Sequence, residues 1–174
     1  MKKCLIVVDF QNDFVSGSLG FPGAAELEPL IAAKIKQYRD SGDEILFTLD
    51  THGDDYLDTL EGQNLPVPHC IEGTEGHNLY GQTANLVLSS DKIFRKNTFG
   101  SDLLFDYLKS EKFKSIELVG LVSNICVISN AVLAKTAQPD TPILVDANCT
   151  ASHDKVLNEA VLDVMTGLQI EVIR

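Results

Sequence analysis

The sequence predicts an α/β protein: a three-layer α/β/α arrangement around a six-stranded, mostly parallel sheet, with residues 1–174 forming a single domain. Three observations carry this expectation. Short apolar runs rich in β-branched residues alternate along the chain with amphipathic helical stretches. Several of the runs are apolar nearly throughout, as strands covered on both faces of a parallel sheet must be. A length of 174 residues suffices for one substantial core and needs no second domain.

In order, CLIVVDF (4–10) reads as the first strand. A helix follows, with Leu27, Leu30, Ile31, Ile35 and Tyr38 on its apolar stripe and a stop near Gly42. EILFTLD (44–50) is the second strand and KIFRKNTF (92–99) the third. Between them, 51–91 is irregular, rich in glycine and broken by Pro66 and Pro68; such an insertion in a compact domain is usually functional. A helix opens at Ser101, with Leu103, Leu104, Tyr107 and Leu108 as its apolar side. SIELVGLV (115–122) is the fourth strand, and another helix follows Cys126. PILVDA (142–147) is the fifth strand. A last helix covers 153–166 with Val156, Leu157, Ala160, Val161, Val164 and Met165 inward, and IEVIR (170–174) completes the sheet. No repeat, low-complexity tract or linker interrupts the series.

Bulk properties narrow the function. The chain is 44% hydrophobic and 22% charged, with a net charge of −11. Nucleic acid and anionic membranes call for clustered Lys and Arg, so neither is an expected partner, and a small neutral substrate suits the charge better than an anionic one. Cys4, Cys70, Cys126 and Cys149 are scattered and form no CxxC pair, which argues for a reducing compartment. The start MKKCLIVVDF resembles a signal peptide, but Asp9 cuts the apolar run short. No apolar segment is long enough for a membrane span. The expected location is the cytoplasm.

In open α/β sheets, ligands bind beyond the carboxyl ends of the strands. Asp9 ends the first strand, Asp50 the second, Lys96 lies late in the third, and Cys126 follows the fourth. Taken singly, each has a plain structural reading: a strand-ending aspartate, a solvated lysine beside Arg95, a small apolar cysteine in the core. Convergence on one edge gives them a shared chemistry. A carboxylate takes the thiol proton, an ammonium steadies the resulting thiolate, and backbone N–H groups in the 120–126 turn receive an oxyanion. These parts suit acyl transfer through a thioester.

Asp50-Thr51-His52 forms a second constellation. Residues two apart in an extended segment face the same side, so Asp50 and His52 can meet one ion, with His69 as a third ligand and Glu61 as a further candidate. Such oxygen and nitrogen donors suit a divalent metal: zinc first, with manganese and iron also compatible. Cys70 adjoins His69 too closely to share an ion with it. Cys4 and Cys149 read as packing, and His77 and His153 as structural.

Together, D-F-Q-N-D-F at the N-terminus, Lys96 after the third strand, and G-L-V-S-N-I-C-V resemble the isochorismatase-like cysteine hydrolases across essentially the whole chain. The resemblance implies that family's α/β hydrolase fold and assigns the catalytic triad to Asp9, Lys96 and Cys126. It also implies a non-proline cis peptide joining Leu121 and Val122, with the N–H groups of Val122 and Cys126 as oxyanion donors. Within the family, D-T-H followed by P-H-C-I-E-G-T-E-G-H-N-L-Y-G is similar to the nicotinamidases. That similarity implies a metal site of Asp50, His52 and His69, with Glu61 matching an added acidic ligand, and Phe14 as an aromatic wall of the substrate pocket.

The chain departs from the pattern in two ways. Ser123 stands where the family often has threonine, and there is no tryptophan to face Phe14 across a pyridine ring, so the opposite wall falls to Tyr107, Leu19 or Phe21. The expected activity is metal-dependent hydrolysis of nicotinamide to nicotinate and ammonia, as in NAD salvage. The alternatives are the same chemistry on another small amide or pyridinecarboxamide, and an idle binding domain on the same scaffold. Because relatives often assemble, the resemblance also admits a homo-oligomer.

Overall fold

A computed structural model describes all 174 residues. Its elements run β1 (Cys4–Val8), α1 (Asn12–Val15), α2 (Glu28–Asp40), β2 (Glu44–Asp50), α3 (Leu60–Asn64), α4 (Gly81–Asn85) and β3 (Lys92–Lys96). They continue with α5 (Asp102–Ser110), β4 (Ile116–Leu121), α6 (Ile128–Ala137), β5 (Ile143–Ala151), α7 (Lys155–Gly167) and β6 (Glu171–Ile173). The six strands form one sheet in the order β3-β2-β1-β4-β5-β6, and every pairing is parallel. The chain order reverses between β1 and β4, which opens a crevice at their carboxyl ends.

Alternation along β1 shows how the sheet is covered. Cys4, Ile6 and Val8 face one core with α5, α6 and α7, through Leu104, Leu108, Ala131, Ala134, Leu162 and Met165. Leu5 and Val7 face the other, with α2 and the segment before it, through Phe21, Ile31, Ile35 and Tyr38. Helix starts follow local chemistry. Ser101 accepts from Leu104 N–H at 3.1 Å to cap α5. Asp154 accepts from Val156 and Leu157 N–H at 2.8 and 3.1 Å to cap α7.

Several expected boundaries and faces differ. β1 stops at Val8 because Asp9 takes a φ of +43°, so Phe10 lies outside the strand. β3 stops at Lys96, leaving 97–99 as a turn. β5 is longer than expected, since a register shift against β4 lets pairing resume at Gly120–Thr150. The 51–91 insertion contains two single-turn helices and a 3₁₀ turn. Leu30, Leu103, Val156, Leu157 and Val164 are exposed although their spacing placed them inward. Each sits at the margin of a stripe whose centre, such as Ile31–Ile35–Tyr38 on α2, already fills the contact with the sheet.

Gly120 is where backbone approach is tightest. Its φ is +114°, and a Cβ there would sit 2.0 Å from the carbonyl oxygen of Val8. Only glycine lets β4 lie against β1 at this point. The Leu121–Val122 peptide that follows is cis. Ser123–Val127 then forms a π-helical turn leading into α6, so Cys126 sits at the head of that helix, over the crevice.

Candidate active site

Asp9 is fully buried in the left-handed region, which aspartate tolerates better than most residues. Its N–H meets the carbonyl and hydroxyl oxygens of Thr48 at 3.2 and 3.3 Å, and Thr48 Oγ1 donates to Asp9 Oδ1 at 2.6 Å. Lys96 pairs in register with Asp50 across β2 and β3. Its Nζ lies 2.7 Å from Asp9 Oδ2, 3.2 Å from Asp50 Oδ1 and 3.7 Å from Cys126 Sγ. One ammonium therefore joins two carboxylates and a thiol in a site where all four side chains are buried.

Lys96 and Asp9 Oδ2 form an ion pair in which both groups are buried. Burial pushes the Cys126 thiol well above its ordinary pKa, and the nearby Asp9 charge adds to the effect. Burial also raises Asp9, against the pull of Lys96. Burial disfavours the Lys96 charge, but Asp9, Cys126 and Asp50 more than offset it and raise its pKa. Burial thus favours the protonated thiol, beside a carboxyl group that Lys96 holds in place.

The second cluster adjoins the first through Asp50. Asp50 Oδ2 lies 3.0 Å from His52 Nε2 and 3.3 Å from His69 Nε2, while Glu61 Oε1, from α3, lies 3.9 and 3.8 Å from the same two nitrogens. One ligand atom from each of the four falls within 4.8 Å of all the others. Ligands held about 2.1 Å from a tetrahedral ion stand roughly 3.4 Å apart, so these spacings fit a single divalent metal. His69 Nδ1 is 2.8 Å from the Val67 carbonyl, which fixes the ring so that Nε2 faces the cluster. Burial opposes ionisation of Asp50, yet His52, His69 and Lys96 hold its carboxyl well below the usual range. Burial and the Asp50 charge raise Glu61.

A cavity of about 260 Å³ opens over both clusters and is lined by Asp50, Glu61, His69, Val122 and Cys126. Its walls include Phe14, Leu19, Phe21 and Phe99. The Phe14 ring lies 5.5 Å from that of His69, at 60°. Tyr107, one of three residues expected to face Phe14, is elsewhere. It leans on Phe94 and its hydroxyl donates to Glu44, at the amino end of the sheet. His153, read as structural, lines the cavity with its ring 6.3 Å from Phe21.

Sequence reasoning overlooked three polar residues that hold the site together, of which Gln11 and Asn130 are fully buried. Gln11 reads the backbone of Asp50 like an extra rung of the sheet: it accepts from Asp50 N–H at 2.8 Å and donates to Asp50 O at 2.9 Å. It also donates to His77 O at 2.8 Å, tying down the insertion. Asp13 accepts from Cys70 N–H at 2.8 Å, fixing the residue after His69. Asn130 donates to the carbonyls of Cys126 and Phe99 at 2.8 and 3.1 Å and accepts from Ser101 N–H at 3.0 Å. Gln11 and Asp13 both lie within the D-F-Q-N-D-F stretch, and Asn130 is a polar residue amid the apolar positions of its helix.

Comparison with known proteins places this geometry. The model of the isochorismatase domain matches residues 3–174. The uncharacterized isochorismatase family protein PncA of Bacillus subtilis (strain 168) is 33% identical over 147 residues, covering 76% of this chain and 78% of its own. Among solved structures, nicotinamidase/pyrazinamidase PncA from Bacillus subtilis superposes with a TM-score of 0.87 at 28% identity, over 100% of both chains. The pyrazinamidase of Pyrococcus horikoshii, solved in complex with zinc, matches with a TM-score of 0.86 over 100% of this chain and 99% of its own. At 22% identity, that match speaks to fold alone.

Proposed function

The chain belongs to the isochorismatase family, and from that membership we propose that it is a metal-dependent nicotinamidase converting nicotinamide to nicotinate and ammonia. The observation that carries the reading is the junction of the two clusters. Cys126, held beside Lys96, lines one cavity; Asp50, His69 and Glu61 of the metal-donor set line the same cavity, and Lys96 bridges Asp9 and Asp50 behind it.

In this reading Asp9 accepts the Cys126 proton as the sulfur attacks the carboxamide carbon. Lys96 compensates the charge shared by Asp9 and the sulfur throughout. The carbonyl oxygen becomes an oxyanion that the N–H groups of Val122 and Cys126 receive. Asp9 returns the proton to the departing nitrogen, so ammonia leaves and a thioester remains on Cys126. Water then attacks the thioester carbon and gives a proton to Asp9. The thiolate leaves, recovers that proton, and nicotinate is released.

The residues fit a resident divalent metal, with zinc the first candidate. Asp50, His52 and His69 would hold it, with Glu61 as a further ligand. When bound, such an ion supplies a Lewis-acidic centre for a ring-nitrogen donor, which would favour pyridinecarboxamides over aliphatic amides. Phe14 supplies one flat wall for the ring, and Leu19 and Phe21 supply further apolar wall. The test is ammonia release from nicotinamide with metal supplied, together with elemental analysis of the wild type and of His52→Ala. Release by the wild type and loss of metal in the variant are expected; no ammonia from nicotinamide would reject this substrate. No helix is long and apolar enough to cross a membrane.

A further inference from the structure

A second cavity, about 660 Å³ and so larger than the one over Cys126, lies beside it and is not used by the chemistry above. The two share Glu61, Leu65, Phe99 and Ile125, so they adjoin along these side chains. Leu65, Phe99 and Ile125 are each more than a third exposed, so this boundary lies at the surface. The two cavities also meet the metal-ligand cluster from different directions. His69 faces the smaller cavity, His52 the larger, and Glu61 both.

The character of the two spaces differs. The smaller is walled by phenylalanine and leucine and, at about 260 Å³, falls below the roughly 300–1,000 Å³ usual for small-molecule sites. It holds one ring and a carboxamide. The larger presents the hydroxyl and carboxamides of Thr98, Asn64 and Asn97, all uncharged and able both to donate and to accept hydrogen bonds. Leu60 and Phe99 give it an apolar flank.

Resting on the nicotinamidase reading, we propose that this groove is an extension subsite. It receives a neutral, hydrogen-bonding substituent carried on the ring of a larger heteroaryl carboxamide, whose amide end occupies the cavity over Cys126. The substrate class is therefore substituted pyridinecarboxamides as well as the bare ring. The substituent passes the Leu65–Phe99–Ile125 boundary, and Asn64, Asn97 and Thr98 satisfy its polar atoms. An anionic substituent is disfavoured, because Asp55 and Glu61 line the same groove.

The probes are nicotinamide and nicotinamides bearing a hydroxyethoxy or a carboxymethoxy chain at ring position 5 or 6. Each is assayed by ammonia release with metal supplied. The groove is filled from residues outside the chemistry, separately, by Asn64→Trp and Thr98→Trp, both at exposed positions. Wild type is expected to hydrolyse a hydroxyethoxy compound within about tenfold of its kcat/KM for nicotinamide and to reject the carboxymethoxy ones. Each variant should lose about tenfold or more on the hydroxyethoxy compound while keeping its rate on nicotinamide. Wild-type turnover of nicotinamide with refusal of every extended amide would overturn the subsite and leave the nicotinamidase reading standing. So would variants that leave the extended substrate unaffected. Failure on nicotinamide itself would strike the underlying reading instead.

Discussion

Replacing Gln11 by leucine keeps the volume of the side chain and removes its polar end. The Asp50 N–H, the Asp50 carbonyl and the His77 carbonyl would each lose a partner at 2.8–2.9 Å in a region without solvent contact. Leaving a buried polar group unpaired costs about 1–3 kcal/mol, so three at the low end give a loss of about 3 kcal/mol. With a urea dependence of about 2 kcal/mol per molar, the midpoint of denaturation should fall by roughly 1.5 M. The same change frees the backbone that aims Asp50 at His52, His69 and Lys96, so metal content after dialysis should fall as well. Urea titration followed by circular dichroism, with elemental analysis of the same samples, reads both effects. A midpoint within about 0.3 M of wild type, well inside the expected loss, would show that this glutamine does not hold the strand end as argued.

Other expectations follow from separate parts of the molecule. Cys126→Ala should abolish ammonia release from nicotinamide while its melting temperature stays within a few degrees of wild type; residual turnover would remove the thiol from the chemistry. Gly120→Ala should destabilise by at least about 3 kcal/mol, since the new methyl meets the Val8 carbonyl in a left-handed backbone region. A melting temperature close to wild type would contradict the close approach of β4 to β1. On the other face, Lys34 pairs with Glu117 and, at 2.7 Å, with Asp146. Burial there works against the Asp146 charge, but Lys34 and the Asn148 N–H hold its pKa below the ordinary value. A depressed carboxyl contributes stability above its unfolded pKa, and that contribution fades as pH falls through the folded value. Lys34→Met should therefore be less stable than wild type at pH 7, with the gap closing below about pH 4, in parallel denaturant titrations. A gap that widened in acid would reverse the assignment.

Much of the architecture was legible because burial on both faces leaves an unmistakable mark on a strand. CLIVV and IELVGL have no polar residue on either side that could face water freely except Glu117, and that one is paired with Lys34 and Tyr38. Strand-end positions were legible for the same reason: once the apolar runs are aligned as parallel strands, Asp9, Asp50, Lys96 and Cys126 must share an edge. The structure brings those four together, and His52, His69 and Glu61 with them. What sequence could not reveal is whatever depends on a side chain reaching across chain-distant backbone. Gln11 acts on residues 39 and 66 positions away, and no local pattern records such a contact. Tyr107 failed as a pocket wall because helical spacing gives the face of α5 but not which end of the sheet a given turn overlies; its hydroxyl meets Glu44, at the start of β2. Exposed apolar positions such as Val156 were misread because periodicity marks an apolar stripe without saying how much of its width the sheet can cover.

The account turns on a covalent step at one sulfur. Acid quenching of the metal-supplied enzyme during turnover of nicotinamide, followed by peptide mass spectrometry, should find a nicotinoyl thioester on the peptide holding Cys126. It should find none on the peptides of Cys4, Cys70 or Cys149, and none anywhere in Asp9→Asn. An acyl group on another cysteine, or steady turnover by Cys126→Ala with no adduct in the wild type, would contradict it.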